Sequence, residues 1–180
     1  SKLGASVGDR NKVLADVIVA VRDMKLSQNL QDNKNDTFGD TYEFLMSMYA
    51  ANAGKSGGEF FTPQEVSEIL VRLATYDNDK IDSVYDPACG SGSLLMKFQK
   101  IIGKKNPNLK YYGQEINPTT FNLCRINMFL HNVNYNNFNI ALGDTLLNPA
   151  HRGMEFDAIV SNPPYSLKWI GKDSPILIND

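Results

Sequence analysis

Cysteine is scarce in this chain: Cys89 and Cys124 are the only two among 180 residues. They form no metal quartet and no disulfide framework, and a reducing cytoplasm is the expected compartment. No apolar run approaches the roughly 20 residues that cross a bilayer. No signal-peptide pattern stands at the start, so a membrane is not among the expected partners. An excess of positive charge is also missing. Lys and Arg number 18 against 20 Asp and Glu, a net charge of −2. A protein that grips nucleic acid unaided usually shows a basic face, so any such role here needs another subunit or further sequence. Repeats and low-complexity tracts are absent too. What remains is ordinary for a globular chain, 42% apolar and 21% charged, and long enough to bury a core. The chain starts Ser-Lys without Met and stops soon after Tyr165. It reads as a fragment of a longer protein.

Helical spacing comes first. Val13, Leu14, Val17, Ile18, Val21 and Met24 repeat as one helix face over residues 10–25. Residues 26–39 are polar and read as a loop. A second helix is expected from Asp40 as N-cap, with Phe44, Leu45, Met48 and Tyr49 turned inward. Residues 53–58 break it. Gly54-Lys55-Ser56 is no phosphate loop, because Tyr49 stands where that motif needs glycine. Thr62 and Glu65 then predict a capping box with Pro63 at the first helical position, ahead of Val66, Ile69, Leu70 and Leu73. Beside this plain capping role, the same helix start could face a carboxylate ligand.

Strands are expected at Ser83–Asp86, Tyr111–Glu115, Phe138–Leu142 and Phe156–Ser161, with helices at Ser93–Ile102 and Thr119–Leu130. Alternating strands and helices imply a parallel sheet with right-handed crossovers.

Chemistry concentrates at the strand ends. Asp86-Pro87-Ala88-Cys89-Gly90-Ser91-Gly92-Ser93 is an acid followed by a glycine-rich turn into a helix, the place where nucleotide-like ligands bind in open α/β sheets. Leu95 replaces the third glycine of a dinucleotide motif. Glu115 ends the second strand and could accept both hydroxyls of a ribose. Asp144, after the third strand, could accept from an adenine amino group or could make an Asx turn. Together the three favour a nucleoside. Asn162-Pro163-Pro164-Tyr165 ends the fourth strand. Its prolines stiffen the backbone. The Asn oxygen and a Pro carbonyl then offer two acceptors to one planar amino group. Accepting both hydrogens aims the nitrogen lone pair along one axis, which a poorly nucleophilic aromatic amine needs. Tyr165 could stack on the base.

These residues resemble the amino-methyltransferases that use S-adenosylmethionine. More closely, Gly58-Glu59-Phe60-Phe61-Thr62-Pro63, Asp86 to Gly92, Gly113-Gln114-Glu115 and Asn162 to Tyr165 resemble the modification (M) subunit of type I restriction–modification systems, an adenine-N6 DNA methyltransferase. The resemblance implies a Rossmann-like methyltransferase sheet cut after its fourth strand. Residues 1–57 would be an N-terminal helical region and 58–180 the first part of the catalytic domain. It implies cofactor contacts at Glu59, Phe60, Phe61, Thr62, Pro63, Gln64, Ser91, Gly92, Ser93 and Glu115, with Asp86 and Gly90 shaping the pocket. Asp144 and Thr145 would meet the cofactor's adenine. Asn162, Pro163, Pro164 and Tyr165 would hold a target adenine flipped out of DNA, and no metal is needed. Partners would be DNA, a specificity (S) subunit, a restriction (R) subunit and a second M subunit. A single-chain restriction–methylation enzyme, a glutamine-amide methyltransferase and a non-catalytic cofactor-binding scaffold are the competing expectations.

Overall fold

A computed structural model of the chain describes residues 6–23, 37–52, 62–78, 80–103 and 105–164. The chain divides into two compact units, Ser1–Thr37 and Phe38–Asp180. The first contains helix α1, Val7–Asp23, which starts ahead of the expected residue 10. Its start is a reciprocal cap. The Asp9 N–H donates to Ser6 Oγ at 3.1 Å, and Asp9 Oδ2 accepts from the Ser6 N–H at 3.2 Å. The expected loop over 26–39 falls mostly outside the described residues.

The second unit is a parallel sheet with helices. Helix α2 spans Thr37–Asn52, so Asp40 lies inside its first turn and is not the N-cap. Helix α3 is Gln64–Ala74. Strand β1 is Ser83–Asp86, and β2 is Lys110–Glu115. Between them run α4, Ser93–Phe98, and a π-helical turn over Gln99–Gly103. Helix α5, Pro118–Leu130, and strand β3, Phe138–Leu142, follow. Strand β4 is only Ala158–Ile159. The sheet order is β3-β2-β1-β4, all parallel. The expected fourth strand over Phe156–Ser161 is thus shortened to two paired residues, although the Val160 N–H still reaches the Tyr85 carbonyl at 3.0 Å.

Alternation along the strands sorts the sheet's two faces. Val84 and Tyr111 are register partners and fully buried against Leu94, Leu95, Phe98, Cys124 and Met128 of the helices. Tyr85 and Tyr112, the next pair, face the other way. There the segment after β3 folds back under the sheet. Phe156 stacks on Tyr85 at 4.7 Å between centroids, and the His151 ring meets both tyrosines edge-on. The Gln114 side chain pins this segment, donating to the Asn148 carbonyl at 3.0 Å and accepting from the Ala150 N–H at 2.9 Å.

Two helix expectations are overturned. On α2, Phe44, Leu45 and Met48 are exposed, while Glu43 and Met46 are buried; the side chain of Tyr49 lies outside what is described. The helix is held by polar contacts instead. Lys100 Nζ lies 2.7 Å from both Asp40 Oδ1 and Glu43 Oε2, and the Tyr42 hydroxyl donates to the Leu123 carbonyl at 3.0 Å. On α3, Pro63 is the N-cap rather than the first helical residue, and no side chain caps it. The capping box of Thr62 with Glu65 is therefore not made. Ser67 and Val71 form the buried face of α3, whereas Val66, Ile69 and Leu73 are exposed.

The starts of β1 and β4 are locked by one carboxylate. Asp157 accepts from the N–H groups of Asp82 (3.0 Å) and Ser83 (2.9 Å) and from the Ser83 hydroxyl (2.9 Å). The Ser83 hydroxyl and these backbone donors hold its carboxyl below the ordinary range. A lowered carboxyl contributes stability above its unfolded value and loses it as pH falls through the folded one. Asp157→Ala should therefore cost about 1 kcal/mol at neutral pH, as loss of a side-chain cap does. In urea titrations that difference from wild type should shrink as pH falls below the ordinary carboxyl value and through the lowered folded one.

Candidate active site

Strand β1 has β2 on one side and β4 on the other. The chain runs outward from β1 through β2 to β3 and then crosses back to β4 on the far side of β1, the reversal of strand order at which open α/β sheets bind ligands, beyond the carboxyl ends of the strands. Every expected strand-end residue that is described lies on this edge.

Asp86 ends β1 and is 1% exposed. Its Oδ1 accepts the Ala88 N–H at 3.0 Å and so bends the chain into the turn. Gly90 has φ +54° and Gly92 φ +84°, a region that costs glycine little. At Gly92 space is limiting as well, because a Cβ there would sit 2.8 Å from Cys124 Sγ on α5. The turn is tied on both flanks. Its Cys89 N–H donates to the Gln114 carbonyl at 3.0 Å, and Asn127 Nδ2 donates to the Ser91 carbonyl at 3.0 Å. Cys89 and Cys124 are both buried, and their mutual contact and burial push the Cys89 thiol well up.

Glu115 closes the turn from β2. Its Oε2 accepts the Gly90 N–H at 3.0 Å, and its Oε1 accepts the Asn117 N–H at 2.7 Å. Each carboxylate oxygen has a second lone pair, so the group keeps capacity for hydroxyl donors. Asp144, after β3, makes the Asx turn: Oδ1 accepts from the N–H groups of Leu146 (2.9 Å) and Leu147 (3.3 Å). Thr145 Oγ donates to the Pro87 carbonyl at 2.6 Å, fastening this loop to the glycine turn.

Asn162, Pro163 and Pro164 follow β4 on the same edge, with Asn162 half-buried and both prolines exposed. Asn162 Nδ2 donates to Thr62 Oγ1 at 3.3 Å, across 100 residues of chain. Thr62 is buried, and its N–H reaches Ser93 Oγ at 3.4 Å. Thr62 thus touches both the glycine turn and the Asn-Pro-Pro segment. Gln64 turns elsewhere, donating to Glu43 Oε2 on α2 at 2.9 Å. Glu59, Phe60, Phe61 and Tyr165 lie outside the described residues. Among the described residues, one trio of metal-ligand type, Asp40, Glu43 and His131, comes together. The Lys100 ammonium already sits against both of its carboxylates.

Sequence reasoning missed Asn127 and Gln114, each 1% exposed. The signal for Asn127 was a polar residue on the apolar face of a predicted helix, at helical spacing from Thr120 and Cys124. Gln114 stood in the Gly113-Gln114-Glu115 motif, but nothing in the sequence showed that its side chain would hold the segment after β3.

Burial pushes the Asp86 carboxyl up to about 7, against the Ala88 N–H and the Ser161 hydroxyl and with help from Glu115. None of these neighbours is a cation. Between the unfolded value near 4 and the folded value near 7, the folded state binds the extra proton. Stability is therefore lost as pH rises through that window. Asp86→Asn should remove this slope, which amounts to on the order of 4 kcal/mol across the window. Urea titrations of both chains between pH 4 and pH 8 would check it; parallel curves would count against a neutral Asp86.

Residues 33–180 match the family model described as N-6 DNA Methylase. The chain is 50% identical to the MpnII methylase subunit of a type I restriction enzyme from Mycoplasma pneumoniae, over 99% of this chain and 34% of that protein. It is 36% identical to the MjaVIII methylase subunit from Methanocaldococcus jannaschii, over 73% of this chain and 23% of the relative. Among solved structures, the type I restriction–modification methyltransferase subunit from Streptococcus thermophilus superposes with a TM-score of 0.69 at 34% identity, covering 93% of this chain and 35% of that one. A class I S-adenosylmethionine-dependent methyltransferase from Listeria monocytogenes shares the fold, with a TM-score of 0.62 at 14% identity. The chain thus spans about a third or less of these curated relatives. Its four-stranded parallel sheet with helices matches these methyltransferase structures, and the chain belongs to the N-6 DNA methylase family.

Proposed function

We propose that this chain is the cofactor-binding and amine-binding part of a site-specific DNA adenine-N6 methyltransferase, the modification subunit of a type I restriction–modification system. The observation that carries the reading is the meeting of the glycine turn after β1 with Asn162 after β4, joined through Thr62 on one sheet edge. We take residues 58–180 as the first part of the catalytic domain and 1–57 as a helical region before it. The compartment is the cytoplasm. Among the described residues, no helix is long and apolar enough to cross a membrane. DNA, a specificity subunit, a restriction subunit and a second modification subunit are the partners. A net charge of −2 fits a division of labour in which other parts grip the duplex.

The methyl donor is S-adenosylmethionine, and the residues present fit it. Glycine at Gly92 lets the turn close against Cys124 of α5, which fixes the backbone that would face the donor. Asp86 is a buried acid whose neighbours include no cation, a setting that suits a ligand carrying positive charge. Glu115 sits half-buried at the turn with acceptor capacity for a ribose. Glu59, Phe60, Phe61, Thr62, Pro63, Gly90, Ser91, Ser93, Asp144 and Thr145 complete the proposed cofactor site, while the Gln64 side chain is taken by Glu43 on α2. When bound, the donor supplies an electrophilic methyl group on a sulfonium. The protein's part is positioning. The Asn162 oxygen and the Pro163 carbonyl accept the two hydrogens of a flipped-out adenine's amino group, Pro164 stiffens the segment, and Tyr165 stacks on the base. Such a site needs no metal.

Calorimetric titration of this chain with S-adenosylmethionine, against NADH as control, tests the cofactor reading. Saturable binding of the methyl donor alone is expected. Glu115→Ala should weaken it by about 1.5–3 kcal/mol, the worth of hydrogen bonds to a charged group; unchanged affinity would remove Glu115 from the ribose site. In the full-length complex acting on DNA, Asn162→Ala should abolish methyl transfer while leaving cofactor affinity near wild type. Undiminished turnover would sink the role given to Asn162.

A further inference from the structure

One side chain of β2 holds the segment that follows β3. Gln114 is 1% exposed and, by strand alternation, shares a face of the sheet with Tyr112. Its amide meets two partners of fixed character. The Ala150 N–H can only donate, so the corner it meets at 2.9 Å is the oxygen. The Asn148 carbonyl can only accept, so the corner it meets at 3.0 Å is the nitrogen. Backbone groups therefore settle the orientation of the amide, and both of its corners grip the same segment.

That segment begins with Asp144, the acid proposed to meet the cofactor's adenine. The Asn148 N–H donates back to the Asp144 carbonyl at 2.8 Å and closes the turn between them. Inside the turn, Asp144 Oδ1 accepts from the N–H groups of Leu146 and Leu147, so the turn fixes the carboxylate. At the entrance, the Gly143 N–H donates to the Glu115 carbonyl at 2.9 Å. Gln114 lies against this entrance as well, since a Cβ at Gly143 would sit 3.5 Å from its Nε2. Gln114 thus carries the far end of the turn whose near end bears Asp144.

We propose that Gln114 is a positioning residue for the base specificity of the methyl-donor site: it holds the Asp144 turn so that the carboxylate stands where the exocyclic amino group of the donor's adenine can donate to it. The inference rests on the adenine contact proposed for Asp144. Gln114 acts through the turn and not by touching the donor. Its loss therefore falls on the base end of the donor. The Glu115 carboxylate, proposed for the ribose, has its own supports in the N–H groups of Gly90 and Asn117. An amide that served the fold alone would, when lost, weaken donors with and without the amino group alike.

The test measures equilibrium binding of two probes to the full-length methylase: S-adenosylhomocysteine, and its analogue whose purine lacks the exocyclic amino group. Wild type should bind the first roughly tenfold more tightly, the worth of a hydrogen bond to a charged group. Gln114→Met keeps the length of the side chain and loses both bonds. Gln114→Glu keeps an acceptor for Ala150 but sets a second oxygen against the Asn148 carbonyl. Each variant should weaken S-adenosylhomocysteine roughly five- to tenfold and change the amino-less analogue by less than about twofold. On an Asp144→Ala background, Gln114→Met should alter the preference no further, since coupled residues are non-additive. A wild-type preference in both variants overturns the proposal. So does an equal loss for the two probes, or an undiminished effect on the Asp144→Ala background. A readout independent of any ligand is amide hydrogen exchange. The N–H groups of Leu146, Leu147 and Ala150 should exchange faster in Gln114→Met than in wild type; unchanged exchange overturns the hold on the turn. If wild type binds the two probes equally while exchange rises as expected, the adenine reading of Asp144 falls, the specificity role falls with it, and the hold of Gln114 on the turn stands.

Discussion

Between Gly92 and helix α5 there is no room for one more methyl group: a Cβ at Gly92 would come within 2.8 Å of Cys124 Sγ. That close approach lets the turn after β1 lie flat against α5, where Asn127 holds the Ser91 carbonyl and Glu115 holds the Gly90 N–H. The turn is thus fixed from two elements beyond its own strand and helix. Its backbone is shaped before any ligand arrives, and preorganisation of this kind lowers the ordering cost of binding. The same packing accounts for the composition of α5. Cys124, Asn127 and Met128 make a buried face that is small where the turn comes nearest and polar where its carbonyl points.

Around this point the sheet distributes chemistry by strand order. β2 brings a carboxylate, β3 brings an Asx turn and a threonine that grips the Pro87 carbonyl, and β4 brings the Asn-Pro-Pro segment from the opposite side. Asp86 lies at the centre, buried and without a cation among the groups acting on it. A buried carboxyl with no cation beside it is an expensive residue to keep for stability alone. Its position between the glycine turn and Ser161 suits a site that receives positive charge.

The N-terminal side of this unit is organised by charge. Lys100 bridges Asp40 and Glu43, and Glu43 also accepts from Gln64 and faces His131 across 3.7 Å. Through these contacts α2 docks on its polar side, and Phe44, Leu45 and Met48 point away. Helix α3 buries a narrow face of Ser67 and Val71, the latter in the apolar core, and leaves Val66, Ile69 and Leu73 exposed. Periodicity alone reads such stripes as core. It cannot know that α2 is held instead by the Lys100 ammonium, or that α3 is anchored in the core by Val71 alone among its valines.

The amino-acid sequence by itself determined what local rules govern. β1 and β3 sit where alternation and flanking turns put them, and β2 and α5 differ from the reading by one residue at their starts. Asp86, the two glycines, Glu115, Asp144 and Asn162 fall on one edge because a parallel sheet with right-handed crossovers leaves its strand ends nowhere else. Tertiary structure decided the partners. Thr62 reads as a helix cap from its neighbours, yet its hydroxyl accepts from Asn162, 100 positions away. β4 shrinks because only Ala158 and Ile159 pair with β1. Asn127 and Gln114 acquire their roles from carbonyls on other elements. Caps, turns and periodicity are set by residues within a few positions, whereas a buried hydrogen bond belongs to whichever distant group the fold brings within reach.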